Sequence, residues 1–167
     1  MLALKIIDVK EFMNQLLLGS TFDQFELVEA DITTFNTFSI DGKIRRDFYD
    51  SDTCDILDQN RISYSSWKET KPYCYSVIRG KRTPLYFKII FQLPYRQLQS
   101  IFRNQSAPFS PELISGMFLN LQYKNKELLC TTGISLTAFV PDKTAEHQWD
   151  RMMLDFLQRH NIIYEKL

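Results

Sequence analysis

The feature that most limits what this chain can fold into is a local plan stated twice: an apolar strand, a short amphipathic helix, then a run of hairpin-forming strands. The first statement opens with Leu2, Leu4 and Ile6 alternating with Ala3, Lys5 and Ile7, a period of two that suits a strand buried on one side. Asp8 and Glu11 have the spacing of a capping box, in which side chains accept hydrogen bonds from the unpaired amides of a helix start. Val9, Phe12, Met13, Leu16 and Leu17 follow at helical spacing, and Gly19 offers a left-handed exit. The second statement begins with the apolar run 85–93, closed by Pro94, which suits a first helical position because its missing amide would be unpaired there anyway. Tyr95, Leu98, Ile101 and Phe102 then repeat the stripe. With Asp8 set over Pro94, Phe12 falls on Leu98 and Leu16 on Phe102.

After each helix the period returns to two. Residues 25–40 lead into Asp41-Gly42, a dipeptide suited to a two-residue hairpin turn, and 43–49 can run back. In the second half, 117–123 meets Lys124-Asn125, 127–132 returns, and a third strand over 134–140 follows Gly133. Residues 142–160 form a closing amphipathic helix capped by Asp142, and 162–167 can add an edge strand. The expected fold class is α+β, with antiparallel sheets and two short helices in a duplicated strand-helix-three-strand plan plus a C-terminal helix. The chain reads as a single domain over 1–167, with halves 1–50 and 84–140 and a connection over 51–83. An apolar fraction of 44% with 13 phenylalanines supports a core that needs neither disulfide nor metal.

Cys54, Cys74 and Cys130 are odd in number, widely spaced and contain no Cys-x-x-Cys pair, which argues for reduced thiols in a cytoplasmic protein. The N-terminal stretch is interrupted by Asp8, Lys10 and Glu11, so neither secretion nor membrane insertion is expected. Asn104-Gln105-Ser106 fits a glycosylation acceptor only by chance in that setting.

The 20 basic and 20 acidic residues balance to a net charge of zero, so attraction to nucleic acid must come from a local patch. Two patches qualify. Arg79, Lys81 and Arg82 form a basic run between expected strands carrying Tyr73, Tyr75 and Tyr86; a solvated, edge-protecting turn is the plainer reading. Arg96 and Arg103 share a face of the second helix, and no acid occurs from 94 to 105. Trp149, Met152 and Met153 on the C-terminal helix are candidates for an adaptable partner-binding face, against the simpler reading that they pack in the core. The acidic segment 47–58 begins like a calcium loop at Asp50-x-Asp52, but Asp55 stands where that loop needs glycine and Arg61 where it needs glutamate. It reads as an acidic connection leading to a strand near 62–67, and no metal or cofactor is expected.

No glycine-rich phosphate loop, nucleophile elbow or paired-histidine motif is present. The expectation is a non-catalytic binding or assembly module, contacting nucleic acid, a protein or a second copy of itself. The alternative is a small enzyme whose site, for example Cys130 with His147, assembles only in space.

Three stretches, 116–120, 130–136 and the group Asp142-Lys143 with Gln148-Trp149-Asp150, resemble a bacterial family of similarly short proteins classed only as a domain of unknown function. The opening 3–13 and the run 33–38 resemble that family's start. The resemblance covers essentially the whole chain and implies no site residues. Two tandem strand-helix-three-strand units also resemble one domain of the DNA sliding clamp, which implies that the helices, with Arg96 and Arg103, face DNA.

Overall fold

In the computed structural model, which describes residues 1–103 and 110–167, seven strands form one antiparallel sheet against which the helices pack. The elements are β1 (Ala3–Ile6), α1 (Val9–Leu17), β2 (Glu26–Thr33), β3 (Thr37–Asp41), α2 (Ser51–Gln59), α3 (Trp67–Ile78), β4 (Tyr86–Gln92), α4 (Tyr95–Arg103), β5 (Ile114–Lys124), β6 (Glu127–Leu136), α5 (Thr144–Arg159) and β7 (Tyr164–Lys166). The strand order is β3-β2-β4-β5-β6-β1-β7, and the fold is α+β. The acceptor triplet at 104–106 lies outside the described residues.

Alternation in the strands decides which face is covered. Phe87, Ile89 and Phe91 of β4, Leu119 and Leu121 of β5, and Leu4 and Ile6 of β1 are buried, while Lys88, Ile90 and Gln92 between them are only half-buried. Helical stripes meet that face: Phe12 and Leu16 from α1, Trp67 and Cys74 from α3, Leu98 and Phe102 from α4, and Trp149, Met153, Phe156 and Leu157 from α5 join one hydrophobic cluster. An aromatic group lies at its centre, with Phe22 5.4 Å from Phe156, Phe25 stacked at 5.7 Å on Phe91, and Trp67 edge-on to Phe91 at 4.9 Å. Such pairs contribute about 0.5–1.5 kcal/mol each beyond the area they bury. Both tryptophans satisfy their one donor: Trp67 Nε1 donates to the Leu16 carbonyl at 2.9 Å, and Trp149 Nε1 to the Phe118 carbonyl at 3.0 Å.

Several expected elements form as read. Asp8 caps α1 by accepting from the Glu11 amide at 3.0 Å. The β5–β6 hairpin closes through Asn125 and Lys126, with φ of 53° and 65°, the primed geometry that matches strand twist; the turn lies one residue beyond the dipeptide expected. The closing helix and edge strand are α5 and β7, with Asp142 accepting from the Thr144 amide at 2.8 Å although Lys143 holds the cap position.

Other expectations are corrected. The connection over 51–83 is mostly helical. Asp50 caps α2, accepting from the Thr53 amide at 2.7 Å, and the early acids complement the positive end of that helix; the start of the calcium-like loop is therefore a helix N-terminus. Ser66 caps α3, accepting from the Glu69 amide at 3.3 Å and donating to the Glu69 carboxylate at 3.0 Å, so Tyr73 and Tyr75 stand on a helix, not on strands. Asp41-Gly42 is not a hairpin turn, since β2 and β3 are joined through 34–36, and the chain after Gly42 bridges forward from Lys43 to Tyr64. Gly42 is needed for close approach instead: a Cβ there would lie 1.8 Å from the Leu27 carbonyl oxygen. Gly19 is not left-handed, whereas Gly80 is, with φ of 149°. β6 runs unbroken through Gly133.

The duplicated plan holds locally but not in the sheet. Phe12, Leu16, Leu98 and Phe102 are all buried as paired, yet β4 lies between β2 and β5 while β1 lies between β6 and β7. A rotation exchanging the halves would have to give β1 and β4 equivalent neighbours, so the clamp-like plan is not confirmed.

Candidate functional site

An apolar concavity lies where α1, the end of α3, the connector 80–85 and the β5–β6 turn converge. It encloses about 930 Å³, within the size range of pockets that take small organic ligands. Its walls are apolar side chains from three elements, including Met13 and Leu17 of α1, Ile78 of α3, and Phe87 and Tyr123 of the sheet. Phe87 and Tyr123 stack at 5.2 Å with planes 10° apart. The helical stripe of α1 is wider than its neighbours in the core can cover, which leaves Val9 and Met13 half-buried at the edge of the cleft.

Four cations line it, Lys10, Lys81, Arg82 and Lys126, and no carboxylate does. All four are exposed, and none enters an ion pair among the described residues. Elsewhere five basic side chains are paired, Lys5 with Glu127 at 2.5 Å, Arg45 with Asp41 at 2.6 Å, Lys71 with Asp23 at 2.6 Å, Lys88 with Glu29 at 2.7 Å and Arg46 with Asp58, while others, Arg96 and Arg103 among them, also make no ion pair among the described residues. What sets the cleft apart is that four unpaired cations and no acid line one apolar cavity. Gly80 turns the chain out of α3, with Arg79 as its C-cap, and delivers Lys81 and Arg82 to the cleft. The site therefore combines an apolar interior with unneutralised positive charge, which suits a ligand of the inverse pattern.

The residues singled out in the sequence separate into three places. Lys81 and Arg82 line the cleft, and Arg79 is exposed beside them without lining it. Arg96 and Arg103 do share a face of α4, where with Gln99 and Ser100 they border a shallow depression of their own. Trp149 and Met153 are 1% and 2% exposed and serve the core, so of the suggested partner-binding trio only Met152 is half-buried at the surface. Lys10 and Lys126 were not singled out; both lie far in sequence from the basic run, and only the packing of α1 beside the β5–β6 turn joins them to Lys81 and Arg82.

Two of the three thiols are withdrawn from solvent. Cys130 is 2% exposed, and burial pushes its thiol up to about 12; Cys74 is likewise buried and pushed up to about 12. His147 is exposed on α5, bordering a shallow depression with Arg151 and Asp155. Among the described residues no group of three His, Cys, Asp or Glu side chains is placed to hold a metal ion, and no helix is long and apolar enough to cross a membrane.

No curated protein and no solved structure is matched by the chain. A family model does match, over residues 15–165, and the chain belongs to that family, DUF5721, a family of unknown function.

Proposed function

We propose that this protein is a cytoplasmic, non-catalytic binding module whose ligand is an anion with an apolar body, seated in the cleft between α1 and the connector 80–85. The observation that carries this reading is the cluster of Lys10, Lys81, Arg82 and Lys126 around an apolar cavity with no acid among its lining residues. The apolar body replaces water against Met13, Leu17 and Ile78, while the anionic head is drawn to the cationic rim. Burial of a body of about 100 Å² contributes about 2–3 kcal/mol before ordering costs.

The same cations also attract nucleic acid, but the rings that line the cleft are largely spoken for, and Tyr73, 68% exposed on α3, does not line it. Tyr123 is 7% exposed and packed on Phe87, and Tyr75 is half-buried, whereas single-strand binding draws much of its energy from exposed aromatic faces. A small amphipathic anion or an acidic, apolar side-chain pair of a protein partner fits the cavity better.

Titration with anilinonaphthalenesulfonate, itself an apolar anion, tests the reading. Native protein enhances its fluorescence saturably, K81E/R82E weakens binding by at least tenfold, and added salt weakens the native complex. Equal binding by native and variant protein overturns the assignment. A salt-dependent gel shift with single-stranded oligonucleotide, lost in the same variant, would transfer the cleft to nucleic acid.

A further inference from the structure

A second cleft, separate from the basic one, is built around a carboxyl group with no hydrogen-bond or ion-pair partner among the described residues. Glu26 is 7% exposed, and its side chain makes no hydrogen bond or ion pair among the described residues. It opens into a cavity of about 420 Å³ between α2, the segment 62–66 and the start of α4. The local fold explains its burial. Segment 62–66 lies against the start of β2, with the Leu27 amide donating to the Ser65 carbonyl at 2.8 Å, the Trp67 amide to the Phe25 carbonyl at 2.9 Å, and Glu26 bridged to Ser66. Phe25 and Leu27 point to the core, and α2 with its flanks roofs the cleft that Glu26 lines.

The other walls include the apolar and aromatic side chains of Ile44, Leu57, Ile62, Tyr49, Tyr64 and Tyr95. The polar Gln24, Thr53, Asn60, Ser65 and Ser66 stand among them. The charged neighbours have other partners or reach solvent. Asp23 is paired with Lys71 at 2.6 Å, Glu69 accepts from Ser66 Oγ at 3.0 Å, and Arg61 stacks over the Tyr95 ring at 4.5 Å. Arg96 is exposed on α4 and makes no ion pair with Glu26. The Glu26 oxygens are not among the fully buried unpaired polar atoms and keep some contact with solvent in the cleft. A carboxylate so far withdrawn from water without a cation is still disfavoured, and a ligand that brings one relieves that penalty.

We propose that this cleft binds a small organic cation, an amine or guanidinium on a short apolar body, whose charged head pairs with the Glu26 carboxylate while the tyrosine rings and Leu57 enclose the body. Tyrosine faces attract such cations directly. Burial pushes the Glu26 carboxyl up to about 7, so a cation binds the ionised form and affinity falls as Glu26 takes up its proton. Between pH about 8 and pH about 5.5 the ionised fraction drops about thirty-fold.

The test compares three probes sharing one ring: benzylamine, benzyl alcohol and benzoate, followed by amide chemical shifts. Benzylamine is expected to shift the amides of Glu26, Ile44, Ser65 and Arg96 at pH about 8, with about thirty-fold weaker affinity at pH about 5.5. E26Q loses this response, and L57W, which fills the cavity from α2, loses it with Glu26 intact, so a folding failure of one variant leaves the other decisive. K81E/R82E keeps it, because the basic cleft is a different place, and R96Q keeps or strengthens it. The proposal is overturned if millimolar benzylamine causes no shifts, if benzoate or the alcohol binds as well, or if amine affinity is unchanged by pH or by E26Q.

Discussion

Replacing Glu26 by glutamine removes a titration that the fold imposes. The ordinary value for this carboxyl is 4.5, and burial raises it to about 7. The sign follows from proton counting. Between those two values the folded protein holds a proton on Glu26 that the unfolded chain has released, so stability falls as pH rises through the window and stays low above it. The gap corresponds to at most about 3 kcal/mol at about 1.4 kcal/mol per tenfold change, and the solvent contact that the carboxylate keeps in the cleft reduces it. E26Q is expected to match the wild type in pH dependence below about 4.5, to diverge through about pH 7, and to end more stable by about 1–3 kcal/mol relative to their low-pH difference. The difference between two pH series cancels the fixed cost of burying an amide in place of a protonated acid. Urea unfolding followed by tryptophan fluorescence at pH steps from about 4 to about 8 reads it directly, since Trp67 and Trp149 are fully buried. Parallel curves across that range would refute the claim that Glu26 is buried without a compensating charge. A saturating amine ligand should flatten the wild-type curve at high pH, because it stabilises the state in which the carboxylate is ionised.

Two further outcomes follow from other parts of the fold. Gly42→Ala places a Cβ 1.8 Å from the Leu27 carbonyl oxygen and 3.2 Å from that of Val28, so chemical denaturation should show a loss of about 3 kcal/mol or more, and a loss below about 1 kcal/mol would contradict the close approach. Cys54 is the only half-buried cysteine, with Cys74 and Cys130 buried and their thiols pushed up to about 12. A disulfide reagent should therefore titrate one thiol in native protein and all three after denaturation; rapid reaction of a second native thiol would count against the packing of α3 or β6.

How much of this was legible in the sequence depended on whether the signal was local. The period-two runs of β1 and β4, the stripes of α1 and α4 and the length of α5 are carried by neighbouring residues, and each formed where its pattern lay. The connection was misjudged for two reasons. Tyr73 and Tyr75 were assigned to a strand, while the Ser66-x-x-Glu69 capping box, which starts α3, was overlooked. The run of aspartates looked like a solvated linker, although an aspartate at a helix start is a common stabilising device. Asp41-Gly42 had the composition of a hairpin turn, but its glycine answers to the backbone of β2, a long-range demand that turn chemistry does not reveal. For the sites the limit was similar. Lys81 and Arg82 were visible as a run, whereas Lys10 and Lys126 join them only after folding. Glu26, flanked by Phe25 and Leu27, has the pattern of the solvent side of an alternating strand, and nothing nearby announces that 62–66 covers it.

The position of β1 between β6 and β7 sets an order of events during synthesis. Ala3 aligns with Thr131 on one side, and Leu4 with Lys166 on the other, so the earliest of the seven strands has no sheet partner until β6 and β7, the last two, have been made. Its amides and its leucine and isoleucine side chains must wait in water or in temporary company while β2 to β5 assemble. Shortening the chain by the few residues of β7 would leave that early strand with one bare flank, and there foreign strands would find their easiest purchase.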